Sequence, residues 1–183
     1  MQSVITTPAA SSGDTAAVIA RLVPGDRQLR RAELRAAARV IGAVRSLWVD
    51  RVQHDPERRH YVQLYRDLHV DVWLICWSNL QDTGFHDHDV SAGAVHVVEG
   101  DLVEDRFEYC RDGFREVSVR RESGAVFDFE ASHVHRVRHG GGLPAASIHV
   151  YSPALWRMGV YDRDPSGLLR RTSISYAEEI AAA

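Results

Sequence analysis

The stretch Gly84-Phe85-His86-Asp87-His88 places two histidines one residue apart, and His133-Val134-His135-Arg136-Val137 offers a third further along. Alternate residues of a β-strand share a face, so a strand here turns the imidazoles of His86 and His88 into one cavity. An imidazole from a distant strand then completes a facial metal site. Imidazole suits zinc, copper, iron and nickel, so ligand type alone does not name the ion. His133 and His135 both stay open as the third donor, because a two-residue offset on one strand puts them on the same face.

The surrounding sequence predicts a strand-rich domain. Short runs separated by turn residues predict strands at Tyr61–Tyr65, Asp71–Trp77, Gly84–His88, Gly93–Glu99, Leu102–Tyr109, Arg115–Arg121, Ala125–Phe129, His133–Arg138 and Ala146–Tyr151. Their spacing is that of an antiparallel jelly roll or related small barrel. Upstream, Ala16–Leu22 and Arg30–Trp48 fit amphipathic helices, the second with a start as early as Asp26. Residues 1–15 are rich in Ser, Thr, Ala and Pro and are expected to be loosely ordered. The expected organisation is a mainly β fold with N-terminal α-helices: a helical part over 16–50 and a barrel over about 60–161, in one domain spanning 16–183.

Composition narrows the function classes. A formal charge of −3 gives no general reason to invoke nucleic acid or a membrane surface, and the basic stripe on the second helix reads as a solvated face. No apolar run approaches a membrane span, and the start lacks a secretion signal, so the cytoplasm is the expected location. Cys76 and Cys110 are the two cysteines. They do not make a disulfide framework; Cys76 is expected to be an inert buried thiol and Cys110 to lie near a turn.

The histidine spacing resembles the cupin superfamily. The His-x-His of its first motif falls on His86 and His88, with Gly93 where a Glu would stand and Gly100 in the closing position. Its second motif maps onto Gly124, Glu130, Ser132 and His135, which selects His135 over His133. Further words narrow the likeness: Cys76-Trp77, the His86-Asp87-His88 stretch, His135-Arg136-Val137, and Ser147-Ile148-His149-Val150-Tyr151-Ser152-Pro153. Together, over Tyr61–Tyr161, these resemble the cysteine dioxygenase family of thiol dioxygenases, in its bacterial form.

That resemblance implies iron(II) held by His86, His88 and His135, and oxidation of a small-molecule thiol to a sulfinic acid with both atoms of O2. It implies a relay in which Tyr151 donates a hydrogen bond into the site, His149 holds the phenol and Ser147 orients the imidazole. Trp77 is expected to pack beneath the site, and Tyr61, Arg157 and Met158 to lie at the pocket. Two departures stand out. Gly93 occupies the place where animal members carry a cysteine crosslinked to the tyrosine, so no thioether forms there. The family's Tyr-x-Arg word, whose arginine grips the substrate carboxylate, is Tyr61-Val62-Gln63 here. An amide cannot copy a guanidinium–carboxylate pair, and Gln63 resembles the branch that prefers 3-mercaptopropionate. Arg58, Arg59, Arg66 and Arg157 are the alternative carboxylate partners.

L-cysteine is the default substrate and 3-mercaptopropionate its competitor. A cupin of another enzymatic class and a non-catalytic metal-binding cupin are the competing functions; the missing carboxylate at position 93 disfavours the first and the intact Ser-x-His-x-Tyr word the second. Neither nucleic acid nor membrane is expected as a partner, and the expected state is a monomer or weak homo-oligomer. His54, His60, His69, His96 and His139 read as surface or hydrogen-bonded structural groups, and Trp73, Trp77 and Trp156 as core.

Overall fold

The computed structural model describes residues 12–111, 113–165 and 168–182. Two helices, α1 (Ser12–Leu22) and α2 (Arg31–Ala43), precede the strands β1 (His60–Arg66), β2 (Asp71–Trp77), β3 (Phe85–Asp87), β4 (Ala92–Glu99), β5 (Leu102–Cys110) and β6 (Gly113–Arg121). These are followed by β7 (Val126–Phe129), β8 (His135–His139), β9 (Ala145–Ser152), β10 (Arg157–Arg163), β11 (Leu169–Ser175) and the short helix α3 (Tyr176–Ala182). One sheet has the order β1-β2-β9-β4-β7 and the other β11-β10-β3-β8-β5-β6, with antiparallel neighbours throughout. This is the expected cupin-type jelly roll with N-terminal helices. No helix among the described residues is long and apolar enough to cross a membrane.

Side-chain alternation in the first sheet divides two apolar clusters. Val72, Leu74 and Cys76 of β2, with Ala146, Ile148 and Val150 of β9, pack with Leu34, Ala38 and Ile41 of α2 and Ile19 of α1. The opposite faces of the same strands carry Trp73, Ile75, Trp77 and Tyr151 into the barrel interior with Val95, Phe127 and Val137. β2 is buried along its whole length because helices cover one face and the second sheet the other. Each fully buried aliphatic residue contributes about 1.5–3 kcal/mol relative to exposure, so the helices are held by the outer face and leave the inner one for the site.

The helix boundaries differ from expectation for local reasons. α1 begins at Ser12, inside the stretch expected to be loose, while 1–11 lie outside the described residues. α2 begins at Arg31 rather than Asp26 because the Glu33 carboxylate accepts the Arg30 backbone N–H at 2.8 Å and the Arg27 guanidinium at 2.7 Å. It ends at Ala43, where the Trp48 indole N–H donates to the Gly42 carbonyl at 3.0 Å and satisfies a carbonyl the helix leaves open. His96 donates from Nδ1 to the Ala38 carbonyl at 3.2 Å, a structural role as expected. The strands β10 and β11 and the helix α3 were not foreseen. β11 is Leu-Arg-Arg-Thr-Ser-Ile-Ser, an exposed edge strand without apolar alternation. Its partner β10 matters to the site because it pairs with β3 and flanks the histidine strand.

Candidate metal centre and cavity

His86 on β3 is the register partner of His135 on β8, and His88 follows β3 into a turn closed by the Ser91 N–H on the His88 carbonyl at 2.9 Å. Between the histidines, Asp87 points the other way and accepts hydrogen bonds from Tyr161 at 2.7 Å and Arg171 at 2.6 Å. The alternation expected of His-x-His is thus realised, with Asp87 anchoring β3 to β10 and β11. The three imidazoles are buried, with ring centroids 4.8, 4.8 and 5.3 Å apart. One nitrogen from each lies within 4.8 Å of the others.

The protonation pattern fits a cation. His86 Nδ1–H donates to the Gly84 carbonyl at 3.1 Å and His135 Nδ1–H to Glu104 at 3.1 Å, leaving both Nε2 lone pairs free. Neither nitrogen of His88, nor Nε2 of His135, has a hydrogen-bond partner although all are buried. Unpaired buried polar atoms are costly, and a metal ion is the partner that would satisfy three lone pairs at once. Burial, reinforced by neighbouring histidines, pushes His86 down to about 3 and His88 well below the ordinary range. Both stay neutral, as ligation requires.

Glu104 on β5 was not singled out from sequence. Burial acts to raise its pKa, but hydrogen bonds from His133, His135 and Arg121 outweigh that and hold the carboxylate ionised. It therefore orients the His135 ring from behind, as carboxylates behind ligating histidines do. His133 does not share the strand face of His135: β8 starts at His135, and the His133 Nε2 bonds Glu104 at 3.2 Å. Glu104, His133 and His135 form a second group of candidate ligands, but Glu104 is already clamped by Arg121.

On β9, positions two apart bring Ser147, His149 and Tyr151 into a line on the inner face. The Trp77 indole N–H donates to Ser147 Oγ at 2.9 Å, Ser147 Oγ lies 2.8 Å from His149 Nε2, and His149 Nδ1 lies 3.2 Å from the Tyr151 hydroxyl. Trp77 can only donate, which fixes the direction of the line. Ser147 is fully buried, so its own proton needs an acceptor and goes to Nε2. His149 then carries its proton on Nδ1 and donates to Tyr151, leaving the phenol proton to point into the cavity. Burial pushes His149 down to about 3 and Tyr151 far above its ordinary range, so both remain neutral.

The cavity is lined by the three candidate ligands, His149 and Tyr151, with Tyr61, Trp73, Leu155 and Met158 among the walls and Tyr176, Glu179 and Ile180 of α3 across it. A profile of the cysteine dioxygenase type I family matches residues 1–164. The chain belongs to that family. Cysteine dioxygenase type 1 of Danio rerio is 26% identical over 100 residues, and the match spans about half of each protein, 51% of this chain and 50% of that one. Similar solved structures include a conserved protein with a double-stranded β-helix domain from Klebsiella pneumoniae, at 13% identity and TM-score 0.49 over 57% of this chain and 85% of that one. Oxalate oxidase in complex with the substrate analogue glycolate matches at 13% identity and TM-score 0.48 over 58% of each chain.

Gly93, where animal members of the cysteine dioxygenase family carry the crosslinked cysteine, pairs in register with both Tyr151 and Phe129. A Cβ there would stand 2.5 Å from the Phe129 ring, which itself stacks on His88 with centroids 4.5 Å apart. Among the residues expected around the substrate, Tyr61 and Met158 line the cavity and Trp77 lies beneath it as the support of Ser147. Gln63 does not line it: the side chain is exposed and donates to Asp71 at 3.0 Å. Arg157 is also turned outward, 66% exposed and 3.7 Å from Asp89. Arg58 is exposed, and Arg66 is spent on Asp71 and the Leu155 carbonyl beneath Trp156. Trp156, expected in the core, is 58% exposed, with one face of its ring covered by the Arg66 guanidinium at 4.2 Å. The guanidinium that approaches the cavity is that of Arg59, 8% exposed and paired with Glu179 at 2.9 Å.

Proposed function

We propose that this chain is an iron(II)-dependent thiol dioxygenase that oxidises L-cysteine to cysteine sulfinic acid, with 3-mercaptopropionate as the alternative substrate. The observation that carries the reading is the meeting of two features in one cavity. Three buried imidazoles converge, with unpartnered nitrogens on His88 and His135, and a fixed hydrogen-bond line ends on a phenol proton beside them. Membership of the cysteine dioxygenase type I family supports the same chemistry.

In the proposed reaction R–SH and O2 combine to R–SO2H: two S–O bonds form, the O–O bond breaks, sulfur is oxidised by four electrons and O2 is reduced by the same four. Iron, when held by His86, His88 and His135, would bring thiolate and O2 together and favour the ionised sulfur. The chain's own residues do the rest. Tyr151 keeps its proton at neutral pH and serves as a hydrogen-bond donor to reacting atoms, not as a base. His149, Ser147 and Trp77 hold that donor at one angle. Trp73, Leu155 and Met158 keep water from the site, which strengthens each polar contact inside it.

The test is metal analysis of the purified protein together with O2 consumption and product identification on L-cysteine, 3-mercaptopropionate and 2-mercaptoethanol. The reading expects iron-dependent O2 uptake and a sulfinate product in equal amounts. Iron binding with no O2 uptake on any thiol would leave a binding protein and overturn it.

A further inference from the structure

Four buried side-chain atoms among the described residues have no hydrogen-bond partner: Nδ1 and Nε2 of His88, Nε2 of His135 and Oγ of Ser91. A metal ion held by the three imidazoles accounts for His135 Nε2 and for one nitrogen of His88. The other His88 nitrogen and the Ser91 hydroxyl remain, and they belong to one turn. The Ser91 N–H donates to the His88 carbonyl at 2.9 Å, which makes these the first and last residues of a β-turn and keeps their Cα atoms within about 7 Å. Asp87 Oδ1 accepts the Asp89 N–H at 2.8 Å, and Asp89 sits in the left-handed region at φ 56°, which aspartate tolerates. The backbone of the turn is thereby fixed. Val90 at its tip is 67% exposed, whereas His88 and Ser91 are each 1% exposed and turn inward.

The other two candidate ligands show what His88 lacks. His86 Nδ1–H has the Gly84 carbonyl and His135 Nδ1–H has Glu104, each at 3.1 Å. A ligating imidazole needs such an acceptor for its outer N–H, because that bond fixes the tautomer and the angle of the ring. Phe129 and Tyr151 pack against the His88 ring at centroid distances of 4.5 and 5.2 Å, but neither gives it an acceptor.

We propose that Ser91 is the positioning residue of His88: when Nε2 ligates the metal, the Ser91 hydroxyl accepts the Nδ1–H of His88. This rests on the metal-binding part of the thiol dioxygenase reading and goes beyond it, to a residue outside the walls of the cavity. The pair forms with the metal for a chemical reason. A neutral imidazole without metal carries its proton on either nitrogen, whereas ligation through Nε2 places the proton on Nδ1 and makes it a stronger donor. A rotation of the Ser91 side chain then satisfies two buried groups at once. Each imidazole has its own partner: a carbonyl for His86, a carboxylate for His135 and a hydroxyl for His88. Of these only Glu104 is charged, so Ser91 orients its ring without adding charge to the site.

The assignment predicts opposite effects with and without metal. In the metal-free protein Ser91→Ala removes a buried hydroxyl that has no partner, so the melting temperature should stay level or rise. The same variant should weaken zinc by about 10–100-fold in a chelator competition, the range for the outer partner of a ligating histidine. Zinc reads the ligand set without turnover. Ser91→Thr keeps the hydroxyl and should keep the parental affinity. In the zinc-loaded parent with isotopically labelled histidine, NMR should show Nε2 ligation by His86, His88 and His135, each with an exchange-protected Nδ1–H. Ser91→Ala should lose that protection at His88 alone. Should Ser91→Thr fail to fold, the His88 proton decides the matter. The proposal is overturned if Ser91→Ala binds zinc as the parent does, if a folded Ser91→Thr shares the loss seen with alanine, or if His88 ligates through Nδ1. It is equally overturned if Ser91→Ala melts well below the parent without metal, which would make the hydroxyl a packing group. Zinc affinity that depends on Ser91 in a protein without O2 uptake on any thiol would support the assignment and sink the dioxygenase reading. O2 uptake with a metal affinity indifferent to position 91 would do the reverse.

Discussion

Replacing Gly93 by alanine is the smallest change that tests how the metal centre is packed. The new Cβ would stand 2.5 Å from Cε2 and Cζ of Phe129 and 3.0 Å from Cδ1 of Tyr151. Ordinary carbon contact begins about 1 Å further out, so the Phe129 ring must retreat or the strands must part. The ring is 3% exposed and wedged against His88 and His135, at centroid distances of 4.5 and 4.7 Å, and β7 is hydrogen-bonded to β4 on its other side. Overpacking of this kind costs about 1–3 kcal/mol. At 2–4 °C per kcal/mol for a chain of this size, the melting temperature of the iron-free protein should fall by about 2–12 °C. Because the displaced ring supports two ligands, iron affinity should fall as well, measured by titration with a competing chelator. Phe129→Leu removes the atoms that the methyl meets, so Gly93→Ala/Phe129→Leu should be less destabilised than the sum of the single variants, by about 1 kcal/mol or more. Calorimetric melting of the four proteins decides the matter. Gly93→Ala melting with the parent, and strict additivity in the double variant, would refute the argument that Phe129 fills the place of a side chain at position 93.

Further outcomes follow from the same geometry. His135→Ala should abolish iron binding, read by metal analysis, whereas His133→Ala should retain iron because its nitrogen faces Glu104 and not the cavity. Glu104→Gln keeps the shape but loses the ionised acceptor behind His135, and should weaken iron by about 10–100-fold in a chelator competition. Tyr151→Phe should leave iron content unchanged and lower kcat on both acidic thiols, since the hydroxyl lost is the last donor of the Trp77–Ser147–His149 line. Acidification should destabilise the iron-free protein. His86 and His149 are held down to about 3 in the fold against 6.5 when unfolded, so between those values the unfolded chain takes up protons that the folded one refuses. At about pH 5 each is expected to remove roughly 2 kcal/mol, and a melting temperature that stays flat from neutrality to that pH would contradict it.

What could be read from the sequence was what has a short period. His86 with His88, and Ser147 with His149 and Tyr151, work because alternation along one strand is a local property, and the barrel needed only recurrent apolar runs and turns. The same rule applied to His133 and His135 failed, because it presumes a strand and β8 starts two residues too late. Glu104, Phe129 and Arg59 owe their roles to neighbours across sheets, and nothing within a few residues of them distinguishes a buried acid from a solvated one. Gln63 shows the limit of arguing from position in a motif. It occupies the place of an arginine, yet the nearby Asp71 carboxylate captures its amide and turns it from the cavity. β11 and α3 escaped because one has little apolar content and the other is only seven residues long: β11 is an edge strand held by Arg171, α3 a single amphipathic face over the pocket.

The arrangement of charge around the site supports the proposed preference for anionic sulfur. A facial site with a carboxylate among its donors cancels part of the cation's charge; here the nearest acid, Glu104, stands behind His135 and is clamped by Arg121 and His133, so it can polarise a ligand but not replace one. Asp87, adjacent to both ligands in sequence, is turned outward onto Arg171 and Tyr161. Three neutral imidazoles would therefore leave a divalent ion with its charge largely uncompensated inside an apolar cavity, where an anionic ligand is strongly favoured. A thiolate, which the proposed substrate would supply, is such a ligand.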